Sequence, residues 1–460
     1  MNRKGSEIKM LNRVYVQLAR KYDVERLRAG LPDVVFSLIQ PGDTVILKPN
    51  WVMESHKYRP TDWEYVITHP AVITAVLIKV LEHLAGKGRV VIIDGPTTEA
   101  SFRKLIAHYP VAMWHELASF AGVALEVVDL REHEWETSND IIVKRHSLQG
   151  DPRGKTEVNL LDQTSEFWGH RKSKRGYHGA DYDQSETNRA HDGHHNLYSV
   201  SRTVLEGDVF INMPKLKTHR KTGITCCLKN LVGINTYKNY LPHHSEGGPC
   251  EGGDQFPIDN VNARIEGPLM AFLKKRVLKN PLLARTLSPL NTLGKRVFGD
   301  TRRVIRSGNW YGNDTIWRMI LDLNKVMLYA NPDGSLRDGL LVNTKRYIGI
   351  VDAVLAGEGH GPLAPEPVDM GYLFCGTNPV GIDAVCATFM GFDPYKIPTI
   401  ASAFQVRQYP LCDFTMTDIL VTIADNDYPL LELPANFIVP FEPQFGWKGH
   451  IEKEIHASAR

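Results

Sequence analysis

The 460 residues carry 54 Lys and Arg against 52 Asp and Glu, a formal net charge of +2, with 43% hydrophobic and 23% charged residues. That balance excludes a disordered chain and a membrane-embedded one, and it gives no general attraction to nucleic acid or anionic lipid, so any basic patch must be local. A chain this long buries a large core and is expected to form two lobes.

The opening stretch, MNRKGSEIKM, has no apolar signal core, and no apolar run is long enough to span a bilayer. Arg13 to Ala19 alternates like a strand, and Val24 to Ile39 carries a helical apolar stripe. Thr44 to Leu47 reads as a buried strand ending in Lys48-Pro49-Asn50. Thr68 is the expected N-cap of a helix running to about Ala85, with Pro70 in its first turn. Arg89 to Ile93 is another buried strand, ending in Asp94-Gly95-Pro96, and Leu125 to Leu130 continues the pattern. Continuous rather than alternating apolar strands, spaced by a helix, predict a parallel sheet covered on both faces.

From roughly Thr156 to Asn196 the chain becomes polar, aromatic and rich in glycine and histidine. Asp208 to Gly233 follows, DVFINMPKLKTHRKTGITCCLKNLVG, and the rest is organised around it. It predicts a short strand, a proline stop, a basic loop and a helix over Thr222 to Val232. On that helix Lys221, Thr225 and Lys229 fall one turn apart on one face. Several cations at a strand end beside a helix N-terminus make an anion receiver. A second glycine-rich loop, LPHHSEGGPCEGGD, precedes a basic, helical-looking region over Pro257 to Arg306 that reads as an insertion or lid. Asp314 to Leu328 has a helical stripe. Strands are expected over Tyr347 to Leu355, Gly371 to Cys375 and Leu420 to Ile423, with a capped helix over Val380 to Met390.

The fold class is therefore α/β, with largely parallel sheets covered by helices, two lobes and a helical insertion. The expected division is 1–200, an N-terminal α/β lobe with the His-rich loop; 201–256, the central motif; 257–345, the insertion; 346–430, a closing α/β part; and 431–460, a tail. The six cysteines, Cys226, Cys227, Cys250, Cys375, Cys386 and Cys412, include no C-x-x-C pair, so no intrinsic iron–sulfur cluster is expected. The bulk reading is a cytoplasmic protein with no nucleic-acid or membrane partner and an undetermined oligomeric state.

KPNWV (Lys48 to Val52), THPAVI, DGP (Asp94 to Pro96), PKLKTH with TGIT and LKNLVG, EGHGP (Glu358 to Pro362), and NPVGIDAV with FMGFDP occur in this order. Together they resemble the family catalogued as domain of unknown function 362. The resemblance covers most of residues 40 to 400 and implies an α/β protein without a settled activity. Some members carry a ferredoxin-type iron–sulfur domain; this chain has no such cysteine run. The architecture is also remotely similar to lactate racemase-like nickel-pincer enzymes, whose catalytic residues do not align with it.

The candidate chemistry rests on residue types at strand ends. Lys48, Asn50, Lys215, Lys221, Lys229 and Asn230 are the expected substrate-binding set. Lys217, His219, Glu358 and Asp383 are the catalytic candidates: His219 or Glu358 moves a proton and Asp383 orients a partner. The His-rich loops hold enough nitrogen and oxygen ligands for a divalent metal, with His194, His243 and Asp183 the first choices, although their spacing matches no named motif. These features point to an enzyme acting on a small anionic metabolite, bearing phosphate or carboxylate, by acid–base chemistry of isomerase, epimerase or lyase type, with room for a divalent metal. The rivals are a redox protein working with an iron–sulfur partner and a non-catalytic anion-binding protein.

Overall fold

The computed structural model describes residues 11–138, 141–181, 183–258 and 304–453. Strands β1 (Arg13–Leu18), β2 (Thr44–Pro49), β3 (Arg89–Asp94) and β4 (Ala124–Asp129) come first. Five strands outside the main sheet follow: β5 (His133–Ser138), β6 (Ile141–Ser147), β7 (Lys155–Asn159), β8 (Tyr177–Gly179) and β9 (Leu197–Ser201). The main sheet resumes with β10 (Val209–Met213), β11 (Lys215–His219) and β12 (Gly223–Thr225), while β13 (Pro242–Ser245) pairs with β8. β14 (Arg346–His360), β15 (Ala364–Gly376), β16 (Leu420–Ile423) and β17 (Asn426–Pro429) complete it.

Nine of these strands lie in the order β17-β16-β1-β15-β14-β10-β2-β3-β4, and β11 and β12 branch from β14. The run β14-β10-β2-β3-β4 is parallel throughout, and β11 joins β14 in parallel. The antiparallel pairs are β15 with β14 and β1, β16 with β17, and β11 with β12. The fold is thus α/β on a mostly parallel mixed sheet, and strands from both halves of the chain share it.

Side chains along the parallel strands alternate between two cores, as a period of two requires. Val45, Leu47, Val90, Ile92, Val209 and Ile211 enter one; Ile46, Val91, Ile93 and Phe210 enter the other. Both faces are covered, which is why these strands read as unbroken apolar runs. The helix Pro70–Leu84 closes one face, burying Val72, Ile73, Val76, Leu77 and Val80. Its N-cap is His69, whose Nδ1 accepts from Ala71 N–H. Thr68, expected there, instead donates its hydroxyl to Met213 O (2.6 Å) and accepts from Asn50 N–H (2.8 Å).

The central segment differs from expectation in one instructive way. Lys215 to His219 is a strand, not a loop, and Gly223 to Thr225 turns back along it, pairing Lys217 with Thr225 and His219 with Gly223. The helix that follows covers only Cys227–Asn230, so Lys221, Thr225 and Lys229 share no helical face. Alternation explains the strand: Leu216 enters the core while Lys215, Lys217 and His219 project from the opposite side. The stripe over Val24 to Ile39 likewise becomes two short helices, Val24–Gly30 and Asp33–Phe36, separated at Pro32. Most of the insertion expected over Pro257 to Arg306 lies outside the described residues.

Candidate functional site

The parallel strands deliver their carboxyl ends to one region, where α/β folds place sites. Lys48 lies at the end of β2 with Asn50 just beyond it, Asp94 ends β3 with Gly95 just beyond it, and the hairpin of β11 and β12 presents His219, Arg220 and Lys221. The segment after Cys227–Asn230 adds Lys238 and His243.

These residues border two adjoining cavities. The larger, about 1630 Å³, is walled among the described residues by ten Lys and Arg, five His and only three Asp and Glu. The smaller, about 120 Å³, is lined by Lys48, Asn50, Asp94, Asp181, Lys229, Asn230, Lys238 and His243, among others. Lys229, Lys238, Asp181 and His243 belong to both walls. A chain whose net charge is only +2 therefore concentrates positive charge in one cleft.

The cations are not equivalent. Lys48 is fully buried and pairs with Asp94 at 2.8 Å; burial lowers its pKa, and Asp94 opposes that shift. Asp94 also accepts from Trp51 N–H (2.7 Å) and Gly95 N–H (2.8 Å). Gly233 packs against this pair so closely that a Cβ there would lie 1.9 Å from Asp94 Oδ1, so any larger residue would have to displace the pair. Lys238 donates to the carbonyls of Gly95 (2.9 Å) and Asn235 (3.0 Å). Burial lowers its pKa to about 8. Lys221 stands 3.3 Å from His244 Nδ1.

Lys229 makes no hydrogen bond or ion pair among the described residues, although it sits where the two cavities meet. Burial, then repulsion from Lys48, brings its pKa down to about 8. Such a group is charged at neutral pH but close to releasing its proton.

Two histidines face the cleft with opposite hydrogen-bonding character. Lys221 N–H and Thr222 N–H donate to His219 Nδ1, so the neutral ring carries its hydrogen on Nε2. In His243 it is Nδ1 that donates, to Leu241 O (2.8 Å), leaving Nε2 with a lone pair. Burial and the neighbouring cations hold both rings well below the ordinary histidine pKa, hence neutral. Asp181 moves the other way: burial raises its carboxyl to about 6, against a hydrogen bond from Thr98 at 2.8 Å.

Of the residues expected from sequence, the structure brings Lys48, Asn50, Lys229 and Asn230 to the smaller cavity and His219, Lys221 and Lys229 to the larger. Lys215 and Lys217 are fully buried behind these walls. Lys215 contacts Asp352 (2.5 Å) and Tyr22 (2.9 Å), and Lys217 donates to Val66 O. Glu358 is not in the cleft; it accepts from Glu442 N–H (2.7 Å). Nor is Asp383, which accepts from Cys227 N–H (2.7 Å) and Leu228 N–H (3.1 Å) and caps that short helix from within the core. Burial raises Asp383 to about 7.

His194, His243 and Asp183 do not converge as metal ligands. His194 is exposed in a turn held by Asp192, Asp183 caps the helix Gln184–Ala190, and His243 lies in the cleft. Among the described residues the potential ligands that do converge are Cys226, Cys227 and Asp383, all buried, with ligand atoms within 4.8 Å of one another. Burial raises both thiols well above the ordinary range, the reverse of an activated nucleophile. The sequence reading missed Lys238 and the pairing role of Asp94, and it counted Arg220 among the cations of the central loop without placing it in the binding set. The signal for Asp94 was present: an acid at the last position of a buried parallel strand, paired with Lys48 near the equivalent end of its neighbour.

Comparison with known proteins adds the following. The family model described as a domain of unknown function, DUF362, matches residues 45–150 and 172–388. A thylakoid-associated protein of Synechocystis sp. is 21% identical over 249 residues, 53% of this chain and 53% of that protein. This chain thus spans about half the length of the curated relative it matches. The lactate racemase apoprotein from Thermoanaerobacterium thermosaccharolyticum is 9% identical with a TM-score of 0.26, covering 51% of this chain and 41% of that one. A likeness that slight carries no argument about activity. No helix among the described residues is long and apolar enough to cross a membrane.

Proposed function

The chain belongs to the DUF362 family, and from the geometry of its basic cleft we propose that it is an enzyme acting on an anionic metabolite by proton transfer. The observation that carries this reading is the Lys229 ammonium, which borders both cavities and has no hydrogen bond or ion pair among the described residues. Enclosing an uncompensated charge costs stability, and an anionic ligand removes that cost when it binds. The surplus of cations over acids around it supplies the field that draws such a ligand in.

Acid–base chemistry is supported by the pKa values that burial sets. Asp181 at about 6 and Lys229 at about 8 bracket neutrality, and both line both cavities. A carboxylate able to take a proton and an ammonium able to give one, on the walls of the same cavities, suit isomerisation, epimerisation or elimination next to an acidifying group. His243 Nε2 offers a second neutral base, and His219 Nε2–H a donor to a developing oxyanion. In this reading Asp181 takes the proton-moving role that sequence alone gave to His219 or Glu358.

The test is a thermal-shift screen with phosphorylated and carboxylated metabolites, followed by NMR in deuterium oxide on every compound that stabilises the protein. The expected result is a stabilising anion whose C–H exchanges with solvent at a rate lost in Asp181→Asn. No stabilisation by any anion at low salt sinks the anion reading. Binding without exchange or conversion leaves an anion-binding protein that does no chemistry.

A further inference from the structure

The smaller cavity differs in character from the larger one. Asn212 Nδ2 donates to Cys227 O (2.8 Å) and to Tyr347 Oη (3.0 Å), which fixes that amide, because a backbone carbonyl only accepts. Asn212 Oδ1 must then accept from Asn230 Nδ2 (2.7 Å), and Asn230 Oδ1 from Asn50 Nδ2 (3.0 Å). Three amides in series thus leave one atom over, Asn50 Oδ1. It is an acceptor with no partner among the described residues, on a residue 6% exposed that lines the smaller cavity.

Two further acceptors share that wall. His243 Nε2 holds a lone pair, because Nδ1 is committed to Leu241 O. Asp181 has one oxygen taken by Thr98, and its second takes no hydrogen bond among the described residues. Oxygen atoms of an anion are repelled by such groups, whereas hydroxyl groups donate to them. Of the lysines on the inner wall, Lys48 is paired with Asp94 and Lys238 is committed to two carbonyls, whereas the outer wall, among the described residues, carries ten Lys and Arg to three acids.

Resting on the anion-binding reading of the outer cleft, we propose that the inner cavity receives the hydroxyl-bearing end of the same ligand. The substrate class is then a phosphorylated sugar or polyol. Its phosphate stays on the cationic side with Lys229 and Arg220, and its hydroxyls donate to Asn50 Oδ1, His243 Nε2 and Asp181. A hydroxyl in that position also places its carbon beside the groups proposed to move a proton.

Calorimetric titration of the full chain tests this with charge-matched probes: butyl phosphate, and a panel of pentose, hexose and polyol phosphates. At least one panel member is expected to bind tenfold or more tighter than butyl phosphate. Asn50→Leu is expected to weaken that compound at least fivefold more than it weakens butyl phosphate, and Asp181→Asn, which keeps the side-chain shape, to act in the same direction. If butyl phosphate binds and no panel member binds better, the inner cavity holds water alone and this inference is overturned, while the anion site stands. If nothing in either set binds, the anion reading fails first. The ratio measured on the unmodified protein decides the matter even where a variant does not fold.

Discussion

Lys215 and Lys229 lie fourteen positions apart on the same segment, the first fully buried and the second partly buried on the walls of two cavities, and they are built to opposite ends. Lys215 has Asp352 at 2.5 Å, Tyr22 at 2.9 Å and the Leu355 carbonyl at 3.2 Å, and none of its side chain is exposed. Asp352 in turn accepts from Tyr22 and from His69 N–H, so it ties three parts of the chain together. Lys229 has none of this. Burial differs between them in degree, but what distinguishes a structural cation from a binding one is whether its hydrogens are already spoken for.

The largest expected effect falls on the satisfied lysine. Asp352→Ala leaves a buried ammonium facing an emptied site, and breaking a buried pair from one side costs about 3–5 kcal/mol. Urea denaturation monitored by tryptophan fluorescence reads this as a lower midpoint at unchanged slope. A midpoint equal to the parent's contradicts the assignment of Lys215 to structure.

Lys229→Met is the matching change at the unsatisfied lysine, and the comparison predicts a reversal. Removing a partly buried charge that has no partner among the described residues leaves the unfolding midpoint unchanged or raised, because the desolvation cost disappears with the charge. Affinity for an anion such as sulfate, measured by calorimetry, falls at least about tenfold, or about 1.4 kcal/mol. Loss of stability comparable to that of Asp352→Ala erases the distinction between the two residues.

How far this distinction was legible in the sequence depends on which forces set it. Cations at the ends of buried strands are a local signal, and Lys48 and Asn50 at the end of β2 were found that way; both reach the smaller cavity. Partner choice is a long-range matter. Nothing near Lys215 announces Asp352, 137 positions away across the β11–β14 pairing. The strand character of KLKTH was in plain view as alternation, but lysines at every second position argue for a solvated loop unless their partners are known. Glu358 and Asp383 mislead for a related reason: a carboxylate near a strand or helix end serves equally as a backbone cap, and both do so here. The parallel core needed no partner information, because unbroken apolar strands can be buried only with both faces covered.

The smallest expected effect sharpens the contrast by pH. An ordinary exposed lysine keeps its charge to about pH 10, whereas Lys229 and Lys238 are brought to about 8 by burial. A lysine binds an anion only while protonated, so affinity is full below about 8 and is lost as pH rises through that value. Sulfate is the suitable probe, since its own charge does not change over this range. Affinity is expected to fall several-fold between about pH 7 and pH 9, and the fall is expected to shrink in Lys229→Met. On the acid side, the two neutral histidines add no charge near their ordinary pKa, because burial and neighbouring cations hold them far lower. The one acid-side step expected is a modest strengthening near 6, as Asp181 takes up a proton and stops repelling the anion. Asp181→Asn removes that step and leaves the fall near 8 in place. A profile that stays flat to about pH 10 means that the cations holding the anion are surface lysines rather than these two.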